Sequence, residues 1–317
     1  MQDADFVTAF APASIGNVAV GFDMLGLALA GVGDRVAARR AASPGVRLLE
    51  VRTDDGAPHP RLTADAAANT ASIAARALWE CVGDDGGLEL VLSKGVPLRS
   101  GMGSSAASAV AAVVAVNALL EAPLEASALL PYALEGEAYA SGGHHADNVA
   151  PSLLGGLVLC PEVLNPKTIC VRVPQGISSV LVHPELEIDT AESRRRLSPT
   201  CSMGQWLEQQ GLLAGFLLAC ERGDTALLGQ CLRDVIIEPQ RVRDVPPFAA
   251  MRDAALGASA WGCSLSGSGP SVFALCAEDL APAVAAAMEG ACRAAGLHCR
   301  SWISPLDAPG ARILRPA

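Results

Sequence analysis

Aromatic residues are scarce, 4% of the 317-residue chain, so stacked rings cannot dominate the interior and alanine, valine and leucine must fill it. The chain also lacks any lysine or arginine tract. Its densest basic run is Arg194-Arg195-Arg196, in a protein of formal net charge −10. A nucleic-acid footprint needs clustered cations, which argues against DNA or RNA as partners. An anionic nucleotide is not excluded, because local amide donors and a metal ion can hold one. The ten cysteines include no CxxC pair, and no histidine cluster joins them, which speaks against a zinc site. Most lie in apolar surroundings such as Leu159-Cys160 and Leu275-Cys276, the setting of buried reduced thiols. No basic-then-apolar leader opens the sequence, where Asp3 and Asp5 stand instead. The longest apolar stretch, Ala106 to Leu120, is broken by Ser108 and Asn117 and is too short to span a bilayer. Together these absences predict a soluble protein of a reducing cytoplasm, without membrane or nucleic-acid partners.

What is present is a globular composition, 51% apolar and 18% charged. The length corresponds to roughly two domains of about 150 residues. Phe6–Phe10, Asp34–Ala38, 46–52 and Leu88–Leu92 read as strands, with Pro12 to Gly16 a loop and Gly31-Val32-Gly33 a turn. Apolar spacing predicts helices over Asn69–Trp79, Ser104–Leu120 and Leu124–Ala140. A composition shift places a domain boundary near residue 160, giving domains 1–160 and 161–317. Beyond it, strands at 180–183 and 271–277 alternate with helices at 203–221, 225–235 and 280–295. Strands mixed with helices in both halves indicate a two-domain α/β or α+β protein.

The segment Val96-Pro97-Leu98-Arg99-Ser100-Gly101-Met102-Gly103-Ser104-Ser105 runs directly into the clearest helix of the chain. A helix start presents unpaired amides and about half a positive charge, which suits a phosphate. Gly101 and Gly103 would allow close backbone approach, and the two serines add hydroxyls, one of which can ligate magnesium. The lysine of the Walker loop and the spacing of dinucleotide folds are both absent, and a Gly-Ser helix cap alone could look the same. Two further clusters stand at Ala11-Pro-Ala-Ser-Ile-Gly-Asn-Val-Ala-Val-Gly-Phe-Asp23 and Gly262-Cys-Ser-Leu-Ser-Gly-Ser-Gly-Pro-Ser271.

In this order and spacing the three segments resemble the GHMP kinase superfamily, which comprises galactokinase, homoserine kinase, mevalonate kinase and phosphomevalonate kinase. The pattern is similar to its homoserine-phosphorylating branch at 16–26, at His145-Ala-Asp-Asn-Val-Ala-Pro151 and around Thr190–Pro199 and Glu238–Arg241. The resemblance covers essentially the full length. It implies an N-terminal ribosomal-S5-like domain with a left-handed βαβ unit and a C-terminal ferredoxin-like domain. It also implies ATP-dependent phosphorylation of the L-homoserine side-chain hydroxyl, a step of threonine synthesis.

By the same resemblance, Pro97 to Ser105 would wrap the ATP phosphates, Ser105 and Glu137 would hold Mg²⁺, and Asn69 would lie near the adenine. Asn17, Asp23, His145, Asn148, Arg194 and Arg241 fall on substrate positions. Asp23 suits the ammonium of a zwitterion, and the two arginines suit its carboxylate. Asn148 would orient the attacking hydroxyl. An amide is no base, but phosphoryl transfer relies largely on positioning and charge stabilisation. Asp147 is therefore read as a structural, loop-ordering carboxylate. Another alcohol acceptor (mevalonate-like or shikimate) and a non-catalytic GHMP-like binding protein are the alternatives, and a homodimer is compatible with the resemblance.

Overall fold

The computed structural model describes residues 6–82 and 86–315. In its first half, β1 (Val7–Gly16) and β2 (Leu25–Ala41) form a long antiparallel ribbon. β3 (Gly45–Thr53) then leads through α1 (Thr70–Cys81) to β4 (Gly87–Lys94), parallel to β3 and antiparallel to β2. Three helices follow, α2 (Ser104–Asn117), α3 (Leu130–Ser141) and α4 (Ala146–Leu154), and then the short strands β5 (Leu157–Leu159) and β6 (Ile169–Val171). The second half comprises β7 (Ile177–Pro184), α5 (Thr190–Arg195), α6 (Met203–Arg222), α7 (Thr225–Cys231), α8 (Glu238–Arg241) and α9 (Phe248–Gly257). It ends with β8 (Gly262–Leu265), β9 (Val272–Ala277), α10 (Ala281–Ala294), β10 (Cys299–Pro305) and β11 (Arg312–Leu314).

Two sheets result. One has the order β11-β1-β2-β4-β3, with β5 on β2 and β6 on β5; the other has the order β10-β7-β9-β8. β6 and β11 thus join the first sheet from beyond residue 160. The scarcity of aromatics is met by helix α2, which is buried on nearly every side and carries mainly alanine and valine. Such small side chains let α1, α3 and α4 and strands β1 and β2 close around it. Six cysteines, among them Cys160, Cys220 and Cys263, are buried free thiols. Among the described residues no helix is long and apolar enough to cross a membrane.

Local expectation and structure part at two places. Pro12 to Gly16 is strand rather than loop: β1 continues against β2 to Gly16, with a register shift between Pro12 and Ala13. Pro12 pairs with Gly33 and Ala13 with Leu29, so Ala30, Gly31 and Val32 form the excess on the partner strand. Proline tolerates such an irregularity because it has no N–H to leave unpaired. The expected turn at Gly31 is therefore a bulge within β2, and Gly31 has a positive φ of 84°. The third helix also starts later than its periodicity indicates. Ala126–Leu129 form a 3-10 turn, and α3 begins at Leu130 with Pro131 in its first turn, where the fixed φ of proline suits a helix start.

Candidate active site

The end of β1, the start of α2 and the start of α4 meet at the floor of a cavity of about 460 Å³. Ser14 fixes this junction. Its backbone N–H donates to the Met102 carbonyl at 3.1 Å and its hydroxyl to Asn148 Oδ1 at 2.9 Å. With Oδ1 so engaged, the amide nitrogen is the group that Asn148, which lines the cavity, keeps as a donor. Gly103, the N-cap of α2, has φ 66° and no side-chain cap, so the first-turn amides of α2 keep their anion-binding character. A Cβ on Gly103 would sit 2.3 Å from Ser14 Oγ, and one on Gly101 would sit 2.4 Å from the Ser266 carbonyl oxygen. The glycines are thus demanded by protein packing and by positive φ, beyond any approach of a ligand.

The loop residues divide. Leu98, Arg99, Gly101, Gly103, Ser104 and Ser105 line the cavity, whereas Pro97, Ser100 and Met102 do not. Ser100 is buried, donating to the Pro97 carbonyl at 2.8 Å, and Met102 is fully enclosed in the core. These three shape the loop. The Ser104 hydroxyl is committed to the Val96 carbonyl at 3.1 Å. Asn69 lines the far end of the cavity while capping α1, accepting from the Ala71 N–H at 3.0 Å.

Ser105 Oγ donates to Glu137 Oε2 at 2.6 Å. Burial pushes the Glu137 carboxyl up to about 7, against the stabilising hydrogen bond from Ser105. A buried carboxylate and a hydroxyl, both oxygen donors beside a helix start, fit a magnesium ion. That ion takes one or two protein ligands and completes its shell with water and substrate phosphates.

Asp147 is likewise buried and pushed up to about 7, first by burial and then by Asp23. For both carboxyls the folded value lies above the ordinary 4.5 of glutamate and 3.8 of aspartate. The folded state therefore holds protons that the unfolded chain has already lost, and stability falls as pH rises through that window. The stabilisation these two carboxyls contribute, read from the melting temperature of the ligand-free protein, is expected to be lost between pH 5 and about 8, against the opposite trend from buried His183, whose pKa is lowered to about 4. Glu137→Gln should flatten part of that slope; identical slopes for the two proteins would contradict the assignment.

The opposite wall gathers charge. Asp23, at φ 57° on the β1–β2 loop, accepts two hydrogen bonds of 2.6 Å from Arg194 on α5. The Asp23 carboxylate raises the Arg194 pKa, and burial lowers that of His145, whose Nδ1 is 3.9 Å from Asp23. Arg241 on α8 is 3% exposed and donates from Nη1 to the Gly267 carbonyl at 2.9 Å. Its Nε has no partner among the described residues, and burial, then the charge of Arg194, lowers its pKa. Asn17 donates to the same Gly267 carbonyl at 3.1 Å and accepts from the Asp23 N–H at 3.1 Å. The Gly-Ser turn at 262–271 therefore meets the site at two points. Ser266 ties it to the Gly101 carbonyl at 2.6 Å, and Gly267 braces the site.

Every substrate position expected from sequence lines this cavity: Asn17, Asp23, His145, Asn148, Arg194 and Arg241. Asp23 is not free, however; it is neutralised by Arg194. Sequence reasoning also missed Ser14, Phe22 and the buried Lys94–Asp34 ion pair. Lys94 Nζ donates to Asp34, to the Ser104 carbonyl at 2.8 Å and to Ser108 Oγ at 2.9 Å. Asp34 also accepts from the Gly95 and Val96 N–H groups at 2.9 and 3.0 Å, so this pair ties the loop to the first turn of α2. A lysine seven residues before the first loop glycine was the available signal.

Two family models match the chain, GHMP kinases N terminal domain over residues 69–156 and GHMP kinases C terminal over residues 216–294. A homoserine kinase of Xanthomonas campestris pv. campestris is 45% identical over 96% of this chain and 93% of its own length. One of Chlorobaculum tepidum is 40% identical over 97% of this chain and 98% of its own. Among solved structures, homoserine kinase from Cytophaga hutchinsonii superimposes with a TM-score of 0.92 at 39% identity, covering 98% of each chain. A mevalonate kinase of L. major, solved with R-mevalonate, superimposes at 0.69 over 95% of each chain with 18% identity; that likeness concerns the fold.

Proposed function

The chain belongs to the GHMP kinases, and from that premise we propose how its cavity transfers the γ-phosphoryl group of ATP to the side-chain hydroxyl of L-homoserine. The product is O-phospho-L-homoserine, an intermediate of threonine biosynthesis. The observation that carries the acceptor assignment is Arg241, a buried guanidinium whose Nε has no partner among the described residues. It lines the same cavity as the Arg194–Asp23 pair and the start of α2. A buried cation held by one carbonyl is costly, and a ligand carboxylate in that cavity would supply its counter-charge. Galactose brings no charge and a shikimate-like ring only a carboxylate, so neither can replace both partners of the Asp23–Arg194 pair; an amino acid supplies both charges.

The nucleotide phosphates would lie on the amides of 101–105 and the start of α2, with Asn69 at the base end. Ser105 and Glu137 would hold Mg²⁺, which supplies charge neutralisation for the phosphates. Asp23 and Arg194 would exchange their mutual contact for the ammonium and carboxylate of the acceptor, and His145 would close the side beside Asp23. Asn148, its carbonyl fixed by Ser14, would donate from its amide nitrogen toward the reacting oxygens. It thereby orients the hydroxyl without accepting its proton. Asp147, with its main chain packed against Gly26, orders the α4 start. Rate enhancement then rests on alignment and electrostatic stabilisation.

The test is turnover with Mg-ATP and each of homoserine, mevalonate, shikimate and galactose. Homoserine is expected to be preferred in kcat/KM by at least about a thousandfold, since a site built to pair charges rejects acceptors that leave them unpaired. Preference for another acceptor would overturn the assignment, and turnover of none would support the binding-protein alternative.

A further inference from the structure

Both arginines of the acceptor wall rest on one aromatic ring. The guanidinium carbons of Arg194 and Arg241 each lie 5.2 Å from the centroid of Phe22. The arginines come from α5 and α8, whereas Phe22 belongs to the β1–β2 loop immediately before Asp23. Two cations drawn into one partly enclosed wall repel each other, and something must hold them at a useful spacing. Asp23 satisfies Arg194 with two hydrogen bonds. Arg241 has no comparable anchor: among the described residues it donates to a carbonyl at Gly267 and leaves Nε unpaired. The electron-rich face of a phenyl ring attracts guanidinium groups, most strongly where water is excluded. It does so without consuming their hydrogen-bond donors, which a carboxylate anchor would occupy.

We propose that Phe22 is a positioning residue for carboxylate recognition, its ring holding the guanidinium groups of Arg194 and Arg241 so that one amino-acid carboxylate can take donors from both. The inference rests on the homoserine reading of the cavity. It assigns the β1–β2 loop two adjacent tasks: Phe22 sets the arginines in place, and Asp23 occupies Arg194 until the acceptor arrives. Leucine would keep bulk at this position and remove the ring face; tyrosine would keep the face.

Steady-state kinetics of wild type, Phe22→Leu and Phe22→Tyr test this. Phe22→Leu is expected to raise the KM for homoserine about tenfold, equivalent to about 1.4 kcal/mol, while kcat and the KM for ATP stay within about twofold. Phe22→Tyr should return the homoserine KM to within about twofold of wild type. An unchanged homoserine KM in Phe22→Leu, a parallel loss for ATP, or a fall in kcat alone would overturn the proposal. So would a tyrosine variant no better than the leucine one. Should Phe22→Leu fail to fold, Phe22→Tyr and Phe22→Trp decide, since both keep a ring and a large rise in homoserine KM in either would contradict the assigned role. Wild type inactive on homoserine would remove the acceptor reading and this proposal together, whereas active wild type with an unaltered leucine variant removes the Phe22 role alone.

Discussion

Arg241→Ala is expected to raise the KM for homoserine about a hundredfold and to leave the KM for ATP within about twofold. The size follows from the chemistry of the contact. A charge-assisted hydrogen bond from a guanidinium to a carboxylate contributes about 1.5–3 kcal/mol, and about 2.7 kcal/mol corresponds to a hundredfold. Arg241 is buried, and among the described residues its Nε has no partner, so most of that interaction should be realised when the carboxylate binds. Removing the side chain also leaves the Gly267 carbonyl with one donor fewer, although Asn17 still donates to it. Arg241→Lys should recover part of the loss, because the charge remains but the planar fork does not. Equal losses for homoserine and ATP would show that Arg241 supports the cavity as a whole instead of reading the acceptor.

The second large effect is expected at Glu137. Glu137→Gln preserves shape and an oxygen that can accept from Ser105 Oγ, the partner now at 2.6 Å, but removes the charge that would hold the metal ion. The expected outcome is a fall in kcat of about two to three orders of magnitude, about 3–4 kcal/mol in the barrier. Raising the Mg²⁺ concentration should recover part of the activity. The burial that pushes the Glu137 carboxyl up to about 7 makes the variant's fold at least as tolerant of neutral pH as wild type. A stable Gln variant with full activity, or one whose defect ignores magnesium concentration, would move the metal away from Glu137.

The parts of the candidate site differ in how readily the sequence revealed them. The helix start at Gly101-Met102-Gly103-Ser104-Ser105 was legible because it abuts an unbroken run of helix formers, and a helix start is a local property. Arg241 and Glu137 were legible through resemblance alone, since a single arginine or glutamate on a helix is ordinarily solvated. What escaped was non-local. Ser14 meets Asn148 across 134 positions, Arg194 meets Asp23 across 171, and Asn17 reaches Gly267 across 250. No periodicity announces such pairings. The reading of Pro12 to Gly16 as a loop failed for a related reason. Proline and small residues signal a break locally, yet pairing with Gly26–Gly33 across a bulge keeps the segment in the sheet. Gly101 was readable as a glycine that must be glycine; its strongest constraint proved to be the carbonyls of Ser266 and Gly269 from the second half of the chain.

The free state of the cavity also bears on binding. Asp23 and Arg194 lie partly exposed, at 28% and 31% of their side-chain surface, so separating them costs less than opening a fully buried pair would. On the proposed reading, an incoming zwitterion would replace each partner with an equivalent charge. A neutral sugar, or an acceptor bearing a carboxylate alone, could not, and the intact ion pair would then stand in its way, which is selectivity by unfavourable exchange.

The measurement closest to the central claim is the ³¹P spectrum of a reaction containing the protein, Mg-ATP and L-homoserine. A phosphomonoester resonance split by the protons of the side-chain methylene is expected, growing in step with ADP. Release of inorganic phosphate alone, or ADP formation without any phosphorus on homoserine, would contradict it.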